Sequence, residues 1–307
     1  MYEKNLNLQS AQASFEILEV FPPISYKTNP GILKLNDAEI YYEVSGSGPA
    51  VIFAHGLGGN HLSWWQQIPY FSDRYTCINF SHRGFTISKN YSGRVGHSVF
   101  AEDLAALIDH LNLKEVSLVA QSMGGWTCMT YALQESKKVK AVVMSSSSGL
   151  VDFRQSKHPE IRSINKWDEW AKREKSSLKE NGILNAIGFE MAKEQPALTY
   201  LYEQIYNLTL YSYKEFIRAD IKRARNLSPE VLKNLEIPFL FLTGEKDVLF
   251  PPAGAFALTS VMQNAESFCF KNSGHSVYFE RAELFNQTVD NFLSKIYDIP
   301  VREKHKK

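Results

Sequence analysis

Val116-Ser-Leu-Val-Ala-Gln-Ser122-Met-Gly-Gly125 is an apolar run that ends on a serine set between small residues. Trp126-Thr-Cys-Met-Thr-Tyr-Ala-Leu133 follows without a helix breaker. The pattern predicts a buried strand, a sharp turn at Ser122 and a helix. Such a turn crowds the residues two before and two after the serine, and these are Ala120 and Gly124. It lifts the serine above the sheet edge, and it puts the Met123 N–H at a helix N-terminus, where an oxyanion can be held. The arrangement is G-x-S-x-G with alanine for the first glycine. A serine between small residues at a strand end is often only a turn. Here the strand before it and the helix after it supply the setting a nucleophile needs.

The flanking sequence repeats that alternation. Ile32 to Leu35 and Glu39 to Val44 read as a strand pair turning at Asn36-Asp37, and Ala50 to Ala54 and Tyr75 to Phe80 as buried strands. Ser98 is the expected N-cap of a helix that keeps Phe100, Leu104, Leu107, Ile108 and Leu111 on one face. Val139 to Met144 completes a βαβαβ series, which predicts a parallel sheet covered by helices on both faces. From 150 to 235 the chain changes character, with many Lys, Glu, Asn and Tyr and few β-branched runs, and reads as an inserted helical cap. The alternation resumes with strand 237–242, a helix over 253–262, strand 266–270 and a closing helix over 281–296. The expected organisation is an N-terminal extension (1–30), a core (31–149 and 236–297), the cap, and a C-terminal tail (298–307).

Composition narrows the function classes. Of 307 residues, 34 are Lys or Arg and 33 Asp or Glu, so the net charge of +1 points to neither nucleic acid nor an anionic membrane as partner. No stretch offers the roughly 20 apolar residues of a membrane span. Glu3, Glu16 and Glu19 spoil a secretory signal, and Cys77, Cys128 and Cys269 show no paired spacing. The expectation is a cytoplasmic protein acting on a small molecule, with no metal and no cofactor; the oligomeric state is left open.

A serine nucleophile needs a histidine base and an acid that orients it, carried after later strands. Of eight histidines, His275 in Asn272-Ser-Gly-His-Ser follows the last expected strand. His110 falls within a helix, His97, His158 and His305 in polar segments, and His61 and His82 precede the acid in the chain. Leu242-Thr-Gly-Glu-Lys-Asp247 offers Asp247 as the acid, with Glu245 second and Asp152 more distant. His55-Gly-Leu-Gly-Gly59, after the strand at 50–54, lets the Leu57 N–H join that of Met123 as an oxyanion donor, with His55 supporting the loop. Neither Gly-Lys-Ser/Thr nor GxGxxG follows, so a phosphate loop is not indicated.

With His55-Gly56, Trp64-Trp65, Arg83-Gly84 and Ser88, Ala120-Gln-Ser-Met-Gly-Gly125, Gly244-Glu-Lys-Asp247, Pro251 and Gly274-His275 in this order, the chain resembles the cap-bearing serine hydrolases of the α/β-hydrolase superfamily. The resemblance spans about residues 30 to 297. It implies an α/β fold with a mostly parallel eight-stranded sheet, a cap over the pocket, and a Ser122, Asp247, His275 mechanism without cofactor. It further implies hydrolysis of a small carboxylic ester, lactone or thioester through an acyl-serine. Carbon–carbon hydrolysis of a dienone-type substrate is the alternative, and a slow-turnover ligand receptor is another. Ser81 stands where such proteins often have Asp, and Thr86 where they often have Gly. Trp64 and Trp65 are expected to wall the pocket; Trp126 is expected in the core.

Overall fold

A computed structural model describes residues 27–301. The expected extension therefore lies outside the described residues up to position 26, and the expected tail from position 302. The strands are β1 (Thr28–Lys34), β2 (Ala38–Ser45), β3 (Ala50–Ala54), β4 (Thr76–Phe80), β5 (Lys89–Asn90), β6 (Val116–Gln121), β7 (Val139–Ser145), β8 (Phe239–Gly244) and β9 (Ala265–Phe270). Eight of them run β1-β2-β4-β3-β6-β7-β8-β9 across one sheet, and β5 pairs with β2. Pairings from β4 through β3 to β9 are parallel, while β1–β2 and β2–β4 are antiparallel. This is the mostly parallel sheet of eight main strands that the resemblance implied, with the two-residue β5 as a ninth.

Successive strand residues point to opposite faces, and each face is buried under its own helices. Ile52, Leu118, Val142 and Phe241 pack with Leu104 and Leu107 of α2 (His97–His110) and Met129 of α3 (Met123–Gln134). Their neighbours Val51, Phe53, Val119, Val143 and Leu240 pack instead with Phe71, Phe285, Val289 and Phe292. Phe71 ends the one-turn helix α1 (Ile68–Phe71). Because strands buried on both faces carry no polar alternation, β3, β6 and β7 read as continuous apolar runs. Cys77 and Cys128 are buried and free, and burial pushes both thiols up.

Between β7 and β8 the chain forms α4 (Ile164–Glu180), α5 (Phe189–Glu194), α6 (Pro196–Asn207) and α7 (Tyr211–Ala224), with short 3₁₀ turns before α4 and after α7. Among the described residues no strand lies within this stretch; only an isolated bridge pairs Val151 with Leu227. Asn226 N–H donates to the Leu150 carbonyl at 3.1 Å and Asp152 N–H to that of Leu227 at 2.8 Å, so the stretch leaves and rejoins the sheet at one point. On α4 only Ile164, Ala171 and Leu178 are buried, a narrow stripe at seven-residue spacing, as expected of a helix laid on a surface. Helices α8 (Pro252–Thr259), α9 (Val277–Glu280) and α10 (Ala282–Tyr297) complete the fold. No helix among the described residues is long and apolar enough to cross a membrane.

Two sequence expectations shift locally. Ser98 is not the N-cap of α2: Gly96 is, with φ at 119°, and Ser98 lies inside the first turn. On the same helix Asp103 is buried against Arg83. β8 begins at Phe239, two residues later than expected, because Pro238 has no N–H to give a ladder and offers only its carbonyl, to Val142 N–H at 3.0 Å.

Candidate active site

The turn after β6 holds Ser122 at φ 50°, ψ −111°, a conformation that costs a non-glycine residue about 1–3 kcal/mol. Neighbours hold it there. Ser122 N–H donates to the Ser145 carbonyl and its own carbonyl accepts from Gly125 N–H, both at 2.9 Å. Gly124 is required: a Cβ there would lie 2.1 Å from the Ala54 carbonyl oxygen. That contact seats the elbow on the end of β3, beside the loop that carries Leu57. Ala120 is fully buried and its methyl is accommodated.

His275 follows β9 and reaches back across the sheet edge. Its Nδ1–H donates to the Asp247 carboxylate at 2.9 and 3.0 Å, which leaves Nε2 to accept from Ser122 Oγ–H at 2.9 Å. Asp247 follows β8, is fully buried, and also accepts from Leu249 and Phe250 N–H at 2.8 and 2.9 Å. The other acids weighed lie elsewhere. Glu245 pairs with Lys271 at 2.8 Å, which lowers its pKa, and Asp152 caps a 3₁₀ turn through Arg154 N–H. His110 meets Tyr42, His97 faces Asp220, and His158 accepts from Glu160 N–H.

His55 holds the glycine-rich loop. Its Nδ1–H donates to the Gly56 carbonyl at 2.7 Å, so Nε2 must accept, and it receives His82 N–H and His82 Nδ1–H at 3.0 Å each. His82 Nε2 then accepts from the Thr127 hydroxyl at 2.9 Å. Every ring nitrogen is satisfied in the neutral form. Burial keeps it neutral, pushing His55 down to about 3 and His82 well below the usual imidazole range. Gly56 brings the loop against the elbow, since a Cβ there would lie 1.9 Å from Gln121 Oε1. Met123 opens α3 and has no intrahelical carbonyl for its N–H.

Ser122 and His275 line a cavity of about 590 Å³ together with Leu57, Trp126 and, from the inserted helices, Tyr202 and Tyr206. Trp64 and Trp65 do not line it, contrary to expectation. A 3₁₀ turn over His61–Trp64 swings Trp64 fully into the core, 4.6 Å from the Tyr278 ring and 5.4 Å from that of Phe53. Trp65 faces outward at 41% exposure. Trp126 is buried as expected, and it is also the indole on the cavity wall, because it stands one helical turn beyond Ser122 on α3. Among the described residues no three His, Cys, Asp or Glu side chains group as metal ligands.

A profile of the alpha/beta hydrolase fold matches residues 49–282. The chain belongs to that family. An uncharacterized hydrolase of Bacillus subtilis is 26% identical over 289 residues, covering 90% of this chain and 100% of that protein. A 2-hydroxy-6-oxo-6-(2'-aminophenyl)hexa-2,4-dienoic acid hydrolase of Metapseudomonas resinovorans is 26% identical over 279 residues, 85% of this chain and 89% of that one. Among solved structures, a thermophilic esterase from Thermogutta terrifontis has the same fold, with a TM-score of 0.70 at 21% identity over 88% of this chain and 99% of that chain.

Two positions where this alpha/beta hydrolase departs from the usual pattern have local explanations. Ser81 Oγ lies 3.1 Å from His61 N–H and 3.0 Å from His61 Nδ1, a buried pairing that uses the hydroxyl in both directions. Thr86 Oγ1–H donates to the Leu208 carbonyl at 2.6 Å and so ties the loop after β4 to the inserted helices.

One residue of the site escaped the sequence reading. Glu280, fully buried on α9, accepts Gly274 and Ser276 N–H at 2.8 and 3.1 Å, on either side of His275, and Gly188 N–H at 3.2 Å from the insertion. Burial pushes its pKa up to about 7 against the pull of those three donors. Tyr202 adds a second tie, its hydroxyl 2.9 Å from Ser276 Oγ. Glu280 stands five residues beyond His275, but its partners come from two separate segments, so no spacing rule marks it.

Proposed function

We propose that this alpha/beta hydrolase cleaves a small carboxylic ester, lactone or thioester through an acyl-Ser122 intermediate. The observation that carries the reading is the unbroken chain from Ser122 Oγ through His275 to the Asp247 carboxylate, opening on the cavity floor. As Oγ attacks the acyl carbon, its proton moves to His275 Nε2. The imidazolium that forms is stabilised by Asp247, and the carbonyl oxygen takes the developing charge against the Met123 and Leu57 N–H groups. His275 returns the proton to the departing alkoxide or thiolate as the bond to the acyl carbon breaks. A water, deprotonated by the same Nε2, then attacks the acyl-serine and releases the acid, restoring Oγ–H.

The dienoic acid hydrolase relative favours one second reading, carbon–carbon hydrolysis of a vinylogous diketone with the same three residues. A panel of esters, thioesters, lactones and vinylogous diketones, run with wild type and Ser122→Ala, tests both. Turnover of an acyl substrate that falls on the order of 10³-fold or more in Ser122→Ala supports the acyl-serine reading. Equal turnover by the two proteins would sink it. Turnover confined to the diketones would transfer the site to the second reading.

A further inference from the structure

The cavity above Ser122 carries an imbalance of charge that acyl transfer by itself does not call for. Its wall contains Lys175, Arg218 and Arg225 and no aspartate or glutamate. Arg218 is paired with Glu215 on its own helix. The other two have no such partner: among the described residues no carboxylate lies within ion-pair distance of Lys175 or Arg225. The acids nearest in effect are already committed. Asp152, which acts on Arg225 from beyond contact, accepts from Gln155 Nε2–H and Arg154 N–H. Asp247 and Asp168, which act on Lys175, are held by His275 and by Arg154.

Arg225 is the better defined of the two. It ends α7 and lays its guanidinium 5.4 Å from the Trp126 ring centroid and 6.0 Å from that of Phe153, while its buried Nε has no hydrogen-bond partner. A guanidinium held near two aromatic rings, with no carboxylate beside it, keeps hydrogen-bond capacity that an anion can use. Burial disfavours the charge of both Arg225 and Lys175. A guanidinium does not deprotonate to escape that cost, so an anion entering the cavity offsets it.

Resting on the acyl-serine reading, we infer that the cavity is an anion-selecting site: the substrate carries a carboxylate that Arg225 binds, with Lys175 as the second cation. Ser122, Trp126, Lys175 and Arg225 line the same cavity. The carboxylate and the reacting carbonyl therefore belong to one substrate molecule, with the carboxylate in the acyl part or in the leaving group.

Matched substrates test this. Mono-4-nitrophenyl adipate carries the acid on the acyl side, a hexanoate ester of 4-hydroxybenzoate carries it on the leaving group, and 4-nitrophenyl and phenyl hexanoate are their neutral counterparts. At low ionic strength we expect wild type to favour one acidic ester over its neutral counterpart by about tenfold or more in kcat/KM, mainly through KM. In Arg225→Gln that ratio falls about tenfold, and in Lys175→Met it falls less. Which acidic ester is favoured assigns the side. Parity of acidic and neutral esters in wild type, or an unchanged ratio in folded Arg225→Gln, overturns the inference.

A second measurement needs neither turnover nor a cation variant. Calorimetry on Ser122→Ala should show monoethyl adipate binding more tightly than diethyl adipate, with the difference shrinking as salt rises. Equal affinities overturn the anion site even where Ser122→Ala has proved the acyl-serine reading. Conversely, undiminished turnover by Ser122→Ala breaks that reading and leaves the binding result to be judged alone.

Discussion

His275 and His55 are both buried imidazoles beside the elbow, and the difference between them lies at Nδ1. His275 gives that proton to the Asp247 carboxylate, and His55 gives it to a backbone carbonyl. A carboxylate can stabilise an imidazolium, whereas a carbonyl oxygen offers only a dipole, and burial then penalises the charged ring. His55 is accordingly held far below the usual imidazole range, and its Nε2 is spent on accepting from His82. His275 Nε2 faces a hydroxyl at the cavity. On the proposed mechanism the same side chain serves as a base in one place and as a rigid neutral strut in the other. The acid partner makes the distinction.

Breaking the reactive chain should produce the largest effects. Ser122→Ala or His275→Ala is expected to lower kcat/KM on an activated ester by about 10⁴-fold or more, measured by initial rates. Asp247→Asn should cost on the order of 10³–10⁴-fold, because the amide stabilises the wrong tautomer of His275. Removing the strut should cost far less. His55→Gln keeps an acceptor toward His82 but cannot hold the Gly56 carbonyl in the same way, so kcat should fall about tenfold through a misplaced Leu57 N–H, with substrate KM nearly constant. A loss as large as that of His275→Ala would erase the proposed division of roles.

Stability against pH sharpens the comparison further, since the buried groups pull in opposite directions. His55 has its pKa lowered from 6.5 to about 3 on folding, so the unfolded chain binds the extra proton and stability is lost as pH falls through that window. Glu280 has its pKa raised from 4.5 to about 7, so the folded chain binds the extra proton and stability declines as pH rises from about 4.5 to 7. Each effect amounts to a few kcal/mol at most, since a tenfold change in proton affinity is worth about 1.4 kcal/mol. Chemical denaturation between pH 4.5 and 8 should show His55→Gln less sensitive than wild type on the acid side, and Glu280→Gln less sensitive on the neutral side. Superimposable pH curves for wild type and Glu280→Gln would mean that the buried carboxyl does not titrate there.

The parts of the molecule that the sequence made legible are those whose partners are local. β3, β6 and β7 are short apolar runs closed by glycine or serine, and Ser122, Asp247 and His275 each follow a strand, so one sheet edge gathers them. Trp64 was misread because a single 3₁₀ turn decides which of two adjacent indoles points inward. Trp126 reads as core and is buried, but its second role on the cavity wall is hidden, because burial and cavity lining look alike in an apolar helix. Glu280 and the wall residues Tyr202 and Arg225 depend on how the inserted helices settle on the sheet, which no periodicity within those helices specifies.

The central claim is that Ser122 is a nucleophile activated by His275 and Asp247. Labelling of the folded protein with a serine-directed fluorophosphonate, followed by peptide mass spectrometry, tests it most directly. One adduct per chain is expected, on Ser122, formed in step with loss of ester turnover and absent from His275→Ala over the same time. Full loss of turnover with the adduct on another residue, or an unmodified Ser122 in a protein that still turns over esters, would contradict it.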